Sequence, residues 1–226
     1  MTCVAEPDFT PRAEQTRAAI TEAALKLFRE NGYEATTMRA IAQEAGVSTG
    51  NAYYYFGSKE ELVQQFYAHT HADHVAASRT ILAAESEFAA RLRGTLRALI
   101  DVNGPYHAFA ARFFKYAAEP SSPLSPFSKE SSPAREAAIA LFREVVDGSD
   151  ARIDGELRTQ LPELLWLYSM GIVLFWVHDT SPGCAKTYQL IERTVPLAGR
   201  LIALSRVRIL RSTIREIISI IQDIRN

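Results

Sequence analysis

The sequence predicts an all-α protein: an N-terminal three-helix unit containing a helix-turn-helix, joined to a larger helical domain. Apolar residues recur at helical spacing along most of the chain, and alternating strand patterns are scarce. Helix start and stop residues stand at the ends of those runs. The stretch 36–62, TTMRAIAQEAGVSTGNAYYYFGSKEEL, holds a short helix, a glycine turn, a second short helix crowded with tyrosine, and the capped start of a third.

Taken in order, Thr10-Pro11 opens the first helix with a hydroxyl cap followed by proline, which needs no donor there. Ile20, Ala23, Ala24, Leu27 and Phe28 form its apolar face, and Asn31-Gly32 ends it because glycine takes the left-handed conformation cheaply. The second helix starts after Thr36 or Thr37 and stops at Gly46. The third runs from Thr49 to about residue 56 with Ser48 as cap. Ser58-Lys59-Glu60-Glu61 reads as a capping box, in which Ser58 accepts from the Glu61 backbone and Glu61 reaches back to Ser58. It opens a long fourth helix, and the domain boundary falls inside it, giving 1–66 and 67–226. Further helices are expected at 87–100, from 106 to about 118, at 133–146, 157–179 and 184–204, with a helical, arginine-rich tail over 205–226. The serine- and proline-rich segment 120–133 is expected to be an irregular surface loop.

At 226 residues, with 47% hydrophobic and 23% charged residues, the chain has the composition of a soluble globular protein of one or two domains. Its net charge of −1 does not by itself select a nucleic-acid partner. Two cysteines, Cys3 and Cys184, support neither a disulfide framework nor a zinc site, which points to a reducing cytoplasm. The start MTCVAEPDF lacks the basic-then-apolar order of a signal peptide. The apolar run 164–177 is shorter than a typical membrane span, so it reads as a buried helix.

The third helix carries the most specific chemistry. Ala52 and Phe56 lie four apart and should pack on Ile41, Ala42 and Ala45 of the second helix. Thr49, Gly50 and Asn51 stand at the positive end of the helix dipole. Asn51 suits adenine in a major groove, and Gly50 permits close backbone approach. Tyr53 and Tyr54 can bring hydroxyls to phosphates or rings to sugars and thymine methyls. Three consecutive tyrosines cannot all face one core, because successive helical positions are about 100° apart. Lys59 is placed to hold a phosphate.

NGYEATTMRAIAQEAGVSTGNAYYYFGSKEEL resembles the N-terminal domain of TetR-family transcription regulators. The resemblance covers about residues 12–66 and lies in the joint spacing of the "NGY..TT" entry, the "IA..AGVS.G..YYYF" helix-turn-helix and the "SKEEL" start. It implies that Thr36 and Thr37 contact phosphate, that Ser48, Thr49, Gly50 and Asn51 meet the major groove, that Tyr53 and Tyr54 contact backbone or bases, and that Lys59 clamps a phosphate. Many members carry a cation where this chain has Thr49, and often a histidine where it has Tyr55, so no guanine contact is implied at Thr49. Residues 1–66 hold six Lys and Arg against nine Asp and Glu. Binding should therefore lean on hydroxyl, amide and backbone donors, with moderate salt dependence.

The larger domain is implied by the same resemblance to bind a small effector and to form a dimer. Tyr106, His107, Phe109, Phe113, Phe114, Trp166, Met170 and Phe175 are the candidate lining of a largely apolar effector pocket. The helices 157–179 and 184–204 are the dimer candidates, through Leu161, Leu165, Tyr168, Ile172 and Phe175 on the first and Leu190, Leu197 and Leu201 on the second. A helix apolar nearly all round needs partners on both sides.

Two other readings compete. His69, His71, Asp73 and His74 invite a metal-binding or enzymatic bundle, against which stands the ordinary polar face of a helix. No HExxH pattern, phosphate loop, dinucleotide fingerprint or nucleophile elbow occurs. The apolar long helices could instead serve a protein-binding adaptor. The expectation adopted is a non-enzymatic, cytoplasmic, homodimeric repressor of an operator in double-stranded DNA, released by an effector, with no cofactor, metal or membrane partner.

Overall fold

The computed structural model describes residues 11–119 and 121–204. These form nine α-helices and no strand: α1 (Pro11–Asn31), α2 (Met38–Glu44), α3 (Thr49–Tyr55), α4 (Lys59–Ala84), α5 (Phe88–Asn103), α6 (His107–Ala117), α7 (Ser132–Asp147), α8 (Gly155–Val177) and α9 (Ala185–Leu204), with short 3₁₀ turns at Gly104–Tyr106 and Pro182–Cys184. The Thr10 cap, Cys3 and the tail 205–226 lie outside the described residues. The all-α expectation holds.

The described residues divide into two compact units. One contains the chain up to His69 together with Ala108–Ser131, and the other contains Thr70–His107 and the chain from Ser132 on. The first is built on α1. Ile20, Ala24 and Phe28 recur every fourth residue and are all 1% exposed or less. Burying each of the two large side chains stabilises the unit by about 1.5–3 kcal/mol. The helix stops at Gly32, whose φ of 82° lies in the left-handed region. The Gly32 N–H donates to Phe28 O at 3.0 Å. Thr37 then caps α2 by accepting from Ala40 N, and Gly46, with φ 68°, turns the chain into α3, which Ser48 caps through Asn51 N.

The serine- and proline-rich segment is less irregular than its composition suggests. Ser122, Ser125 and Ser128 each accept from a backbone N–H two or three residues on. Gln64 of α4 donates to Pro123 O and Ser131 Oγ, and Tyr67 donates to Leu124 O, so the segment is fastened to α4. Leu124 and Ser131 are buried.

In the second unit α5 packs on α7, α8 and α9, and α8 packs on α7 and α9. At 23 residues, α8 is long and apolar enough to cross a bilayer on those counts alone, longer than the apolar run in the sequence suggested. Its stripe Leu161, Leu165, Ser169, Ile172 and Trp176 is nevertheless buried within the unit, as a core helix requires. The α8–α9 turn closes on Asp179, whose carboxylate accepts from the N–H and hydroxyl of both Ser181 and Thr187 at 2.6–2.9 Å. Burial pushes that carboxyl up, but these four bonds outweigh it and hold it well below the usual range.

Candidate nucleic-acid interface

Two residues lock α3 onto α2. Ala52 and Phe56 are both fully buried, as are Ile41 and Ala42 opposite them, while Ala45 is half-buried. That fixes which way the rest of α3 faces. Thr49, Gly50 and Asn51 are exposed, Tyr53 is 51% exposed and Tyr54 76%. Tyr55 is half-buried, its ring perpendicular to that of Tyr54 at 5.3 Å. Two tyrosines that a soluble protein would ordinarily cover are thus presented beside the Asn51 amide and the Thr49 hydroxyl, all from one short helix.

The flanking residues hold this face in place. Lys26 of α1 pairs with Glu44 of α2 at 2.5 Å. The Arg17 guanidinium lies 5.3 Å from the Phe56 ring centroid and donates to Gln65 Oε1 at 2.9 Å. The capping box is present in altered form. Glu61 N donates to Ser58 Oγ at 3.3 Å, but the Glu61 carboxylate accepts from Gly57 N at 2.7 Å rather than from Ser58.

Two expected phosphate contacts turn out differently from one another. Thr37 is exposed, and because its oxygen accepts the Ala40 N–H, its hydroxyl proton remains to be donated. Thr36, by contrast, is 1% exposed and donates to Gly32 O at 2.8 Å, with Leu27 O at 3.2 Å. The expectation that Thr36 touches phosphate is corrected: its hydroxyl serves the two carbonyls at the end of α1, where a β-branched residue with one donor fills the corner. Lys59 is half-buried. Its Nζ donates to Tyr33 O at 2.9 Å and sits 4.4 Å from the centroid of the Tyr33 ring.

Tyr33 is the residue sequence reasoning missed. Its hydroxyl donates to Glu60 Oε1 at 2.6 Å, and its ring lies 5.4 Å from Phe28, 5.4 Å from Phe113 and 5.5 Å from Tyr116. Burial, followed by the Glu60 bond, pushes the phenol above its usual range. Beside this cluster an open cleft of about 400 Å³ is lined by Tyr33, Glu34, Glu60, Lys115, Tyr116 and neighbouring residues. Four of its nine lining residues are charged, and none of the nine is an expected effector contact. The only signal in the sequence was the position of Tyr33 in the NGY entry.

The expected effector residues fall in both units. Phe109 and Phe113 belong to the first unit and are buried there, Phe109 stacked on Phe28 at 5.9 Å and on Phe113 at 5.1 Å. Phe114 lies in the same unit. Phe109 also meets the Phe66 ring of α4 edge-on at 6.0 Å, so this side of α6 packs on α1 and α4. Tyr106, His107, Trp166, Met170 and Phe175 belong to the second unit. There the His107 Nε2 is hydrogen-bonded to Trp176 O at 2.8 Å, Trp166 is buried and Phe175 is 41% exposed.

The expected dimer residues also divide. Leu161, Leu165 and Ile172 are at most 5% exposed within one protomer and cannot meet a second copy; they recur at helical spacing on the inner stripe of α8. The outward apolar residues are Leu174, Phe175, Leu197 and Leu201, between 41% and 66% exposed, with Leu190 and Tyr168 half-buried. A hydrogen bond between Tyr168 and Thr194 ties α8 to α9. Of the histidine cluster, His74 Nε2 is bonded to Thr95 O at 2.8 Å, and its ring stands 6.3 Å from His71. No group of three potential metal ligands occurs among the described residues.

Comparison with known proteins agrees with this arrangement. The family profile described as bacterial regulatory proteins, tetR family, matches residues 20–66, and that described as tetracyclin repressor-like, C-terminal domain, matches residues 91–219. The HTH-type transcriptional regulator HbdR of Aromatoleum sp. (strain CIB) is 52% identical over 50 residues, 22% of this chain and 22% of that protein. The regulator TtgR of Pseudomonas putida is 40% identical over 88 residues, 39% of this chain and 40% of that protein. Both matches span less than half of the relatives' own length. Among solved structures, the TetR regulator of Nitrosomonas europaea ATCC 19718 is similar over 80% of this chain and 97% of that one, with TM-score 0.63 and 17% identity. Thermus thermophilus FadR, in complex with lauroyl-CoA, is similar over 79% and 92%, with TM-score 0.58 and 25% identity. The helix-turn-helix profile falls on α1–α4 and the second profile spans more than half of the sequence, so this chain belongs to the TetR family of DNA-binding transcription regulators.

Proposed function

We propose that the protein is a homodimeric repressor that reads an operator through α3 and leaves it when a small, largely apolar effector binds. The outward face of α3 carries the reading: Thr49, Asn51, Tyr53 and Tyr54 are exposed on a helix whose opposite side is locked by Ala52 and Phe56. Ser48, Gly50 and Thr37 complete the contact set, and Lys59 supplies a cation at its edge. In this division residues 1–66 read DNA, while 67–226 bind effector and pair. The regulator works in the cytoplasm, beside the DNA it controls.

Pairing is supported by the exposed Leu174, Phe175, Leu197 and Leu201, with Leu190 and Tyr168 beside them. A two-fold contact through α8 and α9 covers that surface and gives two copies of α3. In this motif class the two reading helices enter successive major grooves about 34–36 Å apart. The effector acts only through its differential affinity for the DNA-competent and DNA-incompetent states. Tyr106, His107, Trp166, Met170 and Phe175 remain its candidate contacts. The lauroyl-CoA bound to the Thermus thermophilus relative makes long-chain acyl-CoA the first ligand class to try.

Selection of duplexes from a random-sequence pool at fixed salt, followed by titration with lauroyl-CoA and other apolar ligands, tests this reading. A two-fold symmetric site bound by a sedimenting dimer supports it, and failure to enrich any duplex contradicts it. Leu197→Asp with Leu201→Asp should shift the sedimenting species to monomer; an unchanged dimer would place the interface elsewhere.

A further inference from the structure

We propose that Tyr33 is a positioning residue for DNA binding: it holds the Lys59 ammonium ready for a backbone phosphate, and α6 fixes Tyr33. The inference rests on the DNA-reading role of α3 and the start of α4. Tyr33 grips the first two residues of α4 in two ways. Its carbonyl accepts from Lys59 Nζ at 2.9 Å while its ring faces the same ammonium at 4.4 Å. Its hydroxyl meanwhile donates to Glu60 at 2.6 Å. An ammonium has three donors, and one is used here, so two remain for an oxyanion.

A free lysine gives up rotamer freedom when it is fixed. Lys59 has surrendered part of that before DNA arrives, at the first residue of the helix that follows the reading helix. The ring that holds it is itself enclosed. Phe28 of α1 stands on one side, and Phe113 and Tyr116 of α6 stand at 5.4 and 5.5 Å. The Tyr116 hydroxyl donates to Glu34, next to Tyr33, at 2.5 Å. The chain of contacts α6–Tyr33–Lys59 lies wholly within the unit that contains α3. With only six cations in residues 1–66, the placement of one matters more than it would in a basic domain.

The test is a double-mutant cycle on the full-length protein, using a duplex recovered from a random-sequence pool and a salt series. Lys59→Gln should reduce the slope of log affinity against log salt by about 0.9, one phosphate contact. Tyr33→Leu should weaken binding about two- to fivefold, the fold-change of a cation–π contact worth about 0.5–1 kcal/mol. In the Lys59→Gln background Tyr33→Leu should have no effect, and Tyr33→Phe, which keeps the ring, should bind like the parent. Equal weakening by Tyr33→Leu in both backgrounds makes the role merely structural and overturns the proposal. So does tighter binding by Tyr33→Leu, or an unchanged slope for Lys59→Gln. Failure of the parent to bind any duplex would instead sink the DNA-reading assignment. If Tyr33→Leu does not fold, lysine-labelled NMR decides: the Lys59 ε-protons should be ring-shifted upfield and should move on adding duplex, and signals at random-coil positions overturn the proposal.

Discussion

Gly148 leaves the space that Arg91 occupies. A Cβ on Gly148 would lie 2.2 Å from the Arg91 Nη2 atom, well inside contact distance. Arg91 is 4% exposed, yet it donates to carbonyls: Nε to Val145 O, Nη1 to Leu82 O and Glu85 O, and Nη2 to Glu144 O, at 2.5–3.0 Å. These carbonyls end α4 and α7, so the guanidinium is stabilised by the negative ends of two helix dipoles. Space, rather than a left-handed conformation, demands the glycine.

Gly148→Ala is accordingly expected to destabilise the protein by roughly 2–4 kcal/mol, because the guanidinium must leave its carbonyls or the backbone must shift. Urea denaturation should show a lower midpoint with an unchanged slope. A midpoint equal to the parent's would mean that Arg91 moves freely and does not organise the two helix ends.

Thr36→Val separates the buried role from the phosphate role that the sequence suggested. Losing a hydroxyl that serves two carbonyls at the end of α1 should cost about 1–2 kcal/mol of stability. Duplex affinity and its salt slope, measured well below the melting temperature, should match the parent. A reduced salt slope with unchanged melting would restore the phosphate contact.

How far the sequence reached follows from what each signal encodes. Helix limits were legible because caps and glycines are local: Gly32 and Gly46 take positive φ where the pattern stopped, and Ser48 and Thr37 cap the helices they precede. The inner face of α3 was legible because Ala52 and Phe56 share a helical stripe. Facing across helices was not. Phe109 and Phe113 read as pocket lining, but which neighbour an aromatic helix turns toward depends on the path of the chain, and α6 joins α1 and α4. Leu161, Leu165 and Ile172 read as dimer residues for the same reason: α8 is apolar on both sides, so periodicity could not tell inner stripe from outer. Arg91 and Tyr33 were missed because their partners are backbone carbonyls and residues distant in sequence.

His74 gives the protein a built-in acid sensitivity. It is 4% exposed, and burial depresses its pKa to about 4, with the bond to Thr95 O working against that shift. The unfolded chain then takes up the proton first, near pH 6.5. Stability should fall as pH drops from about 6.5 toward 4, by on the order of 3 kcal/mol from this residue, and no further below. His74→Gln should flatten that part of the profile of unfolding free energy against pH. An unchanged slope would show that His74 is protonated in the folded protein at ordinary values.

The proposal that the outward face of α3 reads DNA is tested most directly by fluorescence anisotropy on a duplex selected by the parent protein. Asn51 and Tyr54 are exposed, so Asn51→Ala with Tyr54→Ala should leave the circular dichroism spectrum and melting temperature close to the parent's. Affinity for the selected duplex should fall by about 5- to 150-fold, as loss of about 1–3 kcal/mol at a base contact requires, while binding to unrelated duplexes changes little. A double variant that binds the selected duplex as tightly as the parent would contradict the assignment of α3 as the reading helix.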